Sequence, residues 1–135
     1  MGRLVVACLG LILVGAADPA GPARSPEAQA KLDKLLEGRV AGETRSCLPT
    51  AKTNSPIGID DHTILFRDGP RIWRNDIRRG TECGKVGKFY ALVSSANQTA
   101  GRICTGAVVG IVDLHDPSVA VGACELGDFT VYQKP

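Results

Sequence analysis

The chain has 135 residues with a formal net charge of +2, 44% hydrophobic residues and only 4% aromatic ones. That length suits one domain with a modest core. The near-balanced charge lacks the concentrated basic face of a general nucleic-acid or anionic-membrane binder, and so few aromatics advertise no sugar-stacking cleft.

The N-terminus reads as an export address. Arg3 supplies positive charge, Leu4 to Val14 is apolar, and Gly15, Ala16 and Ala17 are small. This is the order of a secretory signal peptide, with cleavage after Ala17 and Ala16 nearly as good a site. The apolar run is roughly half of the ~20 residues that a spanning helix needs. "VVAC" before Cys8 has the approach of a lipoprotein processing site, but the apolar run continues past Cys8, so the cysteine is read as discarded with residues 1–17. Residues 18–25, "DPAGPARS", read as a flexible leader. Residues 26–135 are then one domain, and no stable membrane insertion is expected after signal removal.

Ser25-Pro26-Glu27 announces a helix: a capping hydroxyl, a proline tolerated in the first position and an acid at the positive end. Ala28, Leu32, Leu35 and Leu36 share one face, and Gly38 is a plausible stop. After Gly42 the pattern becomes β-like. "RSCLP" carries the first mature cysteine, Ile57-Gly58-Ile59 alternates, and Thr63–Arg67 and Arg71–Ile77 flank Asp68-Gly69-Pro70 as a hairpin. Lys88–Val93, Val108–Asp113, Val119–Leu126 and Phe129–Tyr132 follow. "SSANQTAG" is a polar loop containing the glycosylation triplet Asn97-Gln98-Thr99. The fold class predicted is mainly β, a small antiparallel barrel or sandwich with a short N-terminal amphipathic helix.

Four cysteines remain in the mature chain: Cys47, Cys83, Cys104 and Cys124. An even number in an exported chain reads as two disulfides. No two are closer than about twenty residues, unlike the paired ligands of a zinc site. Three pairings are open; the expected one is Cys83–Cys104, closing a loop around the Lys88 strand, with Cys47–Cys124 tying the first strand to the penultimate one.

The chemistry-bearing candidates are few. "GRICTGAVVG" has Gly-x₄-Gly from Gly101 to Gly106, but Ala107 and Val108 stand where a phosphate loop needs Lys and Ser or Thr. The glycines are read as turns beside Cys104. No G-x-S-x-G or C-x-x-C occurs. His115 in "DLHDP", with Asp113 and Asp116, would hold a cation weakly at best and reads as a solvated turn. Arg67, Arg71, Arg74, Arg78 and Arg79 form the densest basic stretch, interrupted by Asp68 and Asp76; they read as solvated faces, with an anion site as the sharper alternative. Trp73, Asn75 and Asp76 are the most individual local feature and the candidate ligand-binding residues. Asp60, Asp76, Asp113 and Asp128 are the carboxylates a hydrolase would draw on, and Asp60, Asp76 and His62 would have to form a concave cluster. No cofactor and no metal are expected.

"LEGRVAGETRSCLP", "IDDHTILFRDGPRIWRNDI", the lone Cys83, "GRICTGAVVGIVD" and "GACELGDFTVY" together resemble, in order, a family of small exported bacterial proteins of unknown function. The resemblance covers most of Leu36 to Tyr132. The chain departs from the family pattern after Cys83, where Gly84-Lys85-Val86 follows, and at Ala107, where an Asp is expected. The resemblance implies export and a cysteine-stapled β domain in the periplasm or outside the cell. It implies no activity. The functional expectation is a structural or binding module of the cell envelope, acting on an envelope partner or small ligand without catalysis. The alternatives are a small periplasmic hydrolase with strand-borne carboxylates and a weak metal-binding protein.

Overall fold

The structure is a computed structural model, and it describes residues 23–94 and 101–135. The signal-peptide reading, most of the leader and the Asn97 triplet lie outside these residues. Helix α1 spans Pro26–Leu36 as the sequence predicts. Its first turn is closed by the Ser25 hydroxyl, which accepts from the Ala28 amide at 3.2 Å. Glu27 and Lys34 sit at the ends that suit their charges. Ala28 and Leu32 are buried, and Leu35 and Leu36 pack beside them.

Eleven strands follow among the described residues. β1 is Val40–Arg45, β2 Cys47–Pro49, β3 Pro56–Asp60, β4 Thr63–Asp68, β5 Arg71–Asp76 and β6 Arg79–Thr81. β7 is Tyr90–Ser94, β8 Arg102–Cys104, β9 Val108–Asp113, β10 Asp116–Glu125 and β11 Phe129–Gln133. Short 3₁₀ turns lie at Thr50–Thr53 and Cys83–Lys85. The strands form a five-stranded sheet in the order β1-β11-β5-β4-β3, a four-stranded sheet β6-β10-β9-β7 and a ribbon β2-β8. Every pairing is antiparallel. The sheets stay open rather than closing on themselves, so of the two architectures expected this is the sandwich.

The main core lies between the two larger sheets. Ile64, Phe66, Trp73, Phe129 and Val131 meet Val109, Ile111 and Cys124, and the ribbon contributes Leu48 and Ile103. The other face of the five-stranded sheet presents Leu65 and Ile72, with Ile57, Ile59 and Tyr132, to α1. A strand covered on both faces loses the polar half of its alternation. That is why Ile64, Leu65 and Phe66 in β4 are apolar in succession, with Ile64 and Phe66 facing one core and Leu65 the other. The D-G-P hairpin forms as predicted, pairing Asp68 with Arg71 across Gly69-Pro70.

The cysteines pair as Cys47–Cys104 and Cys83–Cys124. Two disulfides are correct; the expected partners, Cys83–Cys104 and Cys47–Cys124, are not. β8 does not lie beside the Cys83 turn. It forms the ribbon with β2, where Cys47 and Cys104 are register partners. Cys83 instead sits under the β6–β10 pair, against Cys124, and both are fully buried. Loop-closure cost grows only with the logarithm of loop length, so spacing alone could not select among the pairings.

A further boundary differs. β10 begins at Asp116 rather than Val119, because Leu114-His115 makes the tight turn of a hairpin in which Asp116 opposes Asp113. Pro117 lies in the bulged first half of β10, beyond the Ala123–Glu125 segment that pairs with β6. Gly101 (φ +70°) and Gly106 (φ +86°) take left-handed turns on either side of β8, which answers the question of the Gly-x₄-Gly spacing: the glycines bracket a strand that carries Cys104.

Candidate functional site

Of the three residues singled out in "WRND", two lie in the core. Trp73 is 0% exposed. Its indole Nε1–H donates to Asp68 Oδ2 at 3.3 Å, and the Arg45 guanidinium lies 5.6 Å from its ring centroid. Asn75 is also 0% exposed. Its Nδ2 donates to the Gly127 carbonyl at 2.8 Å, while its Oδ1 accepts from the Gly127 amide at 2.9 Å. Both ends of the amide are therefore committed to the β10–β11 connection. A Cβ on Gly127 would come within 2.1 Å of the Asp76 carbonyl, so this close approach requires glycine. Neither Trp73 nor Asn75 offers surface to a ligand. Only Asp76 reaches solvent, where its Oδ1 accepts from Arg74 Nε at 3.0 Å and Thr63 Oγ1 at 3.1 Å.

Asp60, Thr63 and Asp76 do come together, at the opposite end of β4 from its hairpin, but a cation already occupies the group. Arg24 Nε donates to Asp60 Oδ2 at 2.7 Å, and its Nη2 donates to Thr63 Oγ1 at 2.6 Å. The leader thus ends in an anchored residue. Burial pulls the Asp60 carboxyl upward, but the Arg24 hydrogen bond, the His62 amide and the Arg24 charge outweigh it and hold the group below its ordinary value. A carboxylate held ionised in this way is the reverse of a general acid poised near neutrality. His62 contributes its backbone amide to Asp60 Oδ1 at 2.9 Å.

The other candidates are spread apart. His115 Nδ1 lies 3.1 Å from Asp113 Oδ1, and the Ser118 hydroxyl donates to Asp116 at 2.5 Å. These local bonds shape a turn. Asp128 accepts from Thr105 Oγ1 at 2.6 Å. Among the described residues no three His, Cys, Asp or Glu side chains gather as metal ligands.

A cleft of about 350 Å³ opens where the ribbon, β7 and the Thr50–Thr53 turn meet. Its volume falls in the range of small-molecule sites. Phe66, Leu92, Ile103 and Val109 form the apolar floor. Thr50, Thr53, Asn54, Tyr90 and Ser94 supply hydroxyl and amide groups. The Thr50 hydroxyl donates to Gly101 O at 3.1 Å and the Thr53 hydroxyl to Thr50 O at 2.8 Å. Each keeps lone pairs free to accept. Among the described residues, no Asp, Glu, Lys, Arg, His or Cys lines the cleft. Sequence reasoning missed it because its lining comes from five separate segments, each with an ordinary strand or turn composition.

No protein-family model, no curated protein and no solved structure matches the chain.

Proposed function

We propose that this protein is an exported, non-catalytic binding module of the cell envelope, periplasmic or secreted, and a member of the four-cysteine family that its sequence resembles. Two disulfides favour an oxidising compartment. Among the described residues no helix is long and apolar enough to cross a membrane. The observation that carries the reading is the cleft at Phe66, Tyr90 and Leu92, with its apolar floor and uncharged polar rim. Such a lining binds and orients a ligand but supplies no group that exchanges protons near neutral pH. Its acceptor hydroxyls select a small, uncharged amphipathic molecule that brings its own N–H or O–H donors.

The test is an amide chemical-shift titration of the oxidised protein with a panel of uncharged aliphatic amides and alcohols. Saturable shifts confined to Thr53, Tyr90, Leu92 and Ile103 are expected. Leu92→Trp, which fills the cleft, should weaken them by roughly tenfold or more. Shifts scattered over other surfaces, or unchanged in the folded Leu92→Trp variant, would overturn the reading.

A further inference from the structure

The basic stretch Arg67–Arg79 does not behave as one patch. Arg74 pairs with Asp76, and Arg78 and Arg79 both pair with Glu125. Arg71 is different. It stands at the start of β5, where the register pairs Ile72 with Tyr132 and so sets Arg71 opposite Gln133. Gln133 in turn opposes Val40 on β1. Three adjacent strands therefore end together, and the residues at or just beyond their ends are Arg39, Lys134 and Arg71. These three cations, with Pro70 and Gln133, line a cavity of about 310 Å³.

None of the three cations has an acidic partner among the ion pairs of the described residues. Asp68, the register partner of Arg71 across the hairpin, feels the Arg71 charge, but its carboxylate is bound by Lys52 Nζ at 3.0 Å and by the Trp73 indole at 3.3 Å. Arg39 is half-buried, and one Nη donates to the Pro70 carbonyl, which fixes the guanidinium at the cavity wall. Unlike charges would collapse onto one another here. Like charges held around a common space by strand register leave that space positive, and a planar guanidinium presents paired donors to an oxyanion.

We infer that the Arg39–Arg71–Lys134 cavity is a binding site for a single oxyanion group of the phosphate or sulfate class, distinct from the uncharged cleft. Two sources carry that chemistry: a soluble phosphate or phosphate ester, and an anionic lipid headgroup. Titration of the oxidised protein with inorganic phosphate, against sodium chloride at matched ionic strength, is the first measurement. Saturable shifts at Arg71, Gln133 and Lys134 are expected, with a dissociation constant on the order of a millimolar.

The double variant R71Q/K134Q should weaken binding by roughly tenfold or more. Both side chains are exposed, and an unchanged unfolding midpoint would show that the fold is intact. Arg39→Lys keeps the charge but loses the fork, and should weaken binding less than the double variant does. Co-sedimentation with phosphatidylglycerol vesicles but not phosphatidylcholine vesicles assigns the lipid source; phosphate binding without vesicle binding assigns the soluble one. Shifts equal in chloride, or unchanged in the folded double variant, would overturn the site.

Discussion

Asn75 is a polar residue whose whole side-chain amide is taken up by the backbone around it. Its amide satisfies both backbone groups of Gly127 in a place where water does not reach. Asn75→Ala would strand a donor and weaken the bonding of an acceptor, each costing about 1–3 kcal/mol when unpaired. Chemical denaturation should show a loss of roughly 2–4 kcal/mol, softened where Thr105 Oγ1, 3.2 Å from Gly127 O, turns its one proton from Asp128 to that carbonyl. Asp60 gives a second residue-scale expectation. Its folded carboxyl titrates below the ordinary value of 3.8, so the stabilisation it gives is complete above that value and is lost as pH falls through the lower folded value. The thermal midpoint should hold from neutrality to about pH 5 and fall below about pH 4. Asp60→Asn should shrink that acid-side fall while lowering the midpoint at neutral pH.

Elements differ in how openly they declare themselves. α1, β4, β5 and β11 were legible because capping, period and turn chemistry agree with their burial. β1 was not: all six of its residues are exposed, so no apolar alternation marks it, and it exists as a strand through its pairing with β11. β6 and β8 have three residues each, too few to show a period. The candidate sites were hidden for the same reason, since the cleft and the cation cavity are both made by register between distant segments. Trp73 and Asn75 stood out in the sequence as unusual, and the unusual feature proved to be core architecture. The elements also predict chemistry at sulfur. Cys47 and Cys104 are partly exposed in a short ribbon, whereas Cys83 and Cys124 are fully buried. Mild thiol reductant on the native protein should open Cys47–Cys104 first, because exchange needs access to sulfur. Alkylation and peptide mapping should find label at Cys47 and Cys104 before Cys83 and Cys124.

At the scale of the whole molecule, the two bridges span 57 and 41 residues, and a chain-entropy view assigns each about 4 kcal/mol. Either one is a large share of what a domain of this size holds. The paired variants C47S/C104S and C83S/C124S should both unfold at lower denaturant than the parent. The second should lose more, since it also disturbs a buried contact under β10. A variant of the second pair as stable as the parent would show that the buried bridge is dispensable.

The bridges also interleave: Cys83 lies between Cys47 and Cys104 in the chain, and Cys124 lies beyond both. A single peptidase cut anywhere from Cys47 to Cys124 therefore leaves its two fragments joined by at least one sulfur–sulfur bond. Such a nicked particle would migrate as one species until reductant was added, a form of durability suited to surroundings rich in proteases.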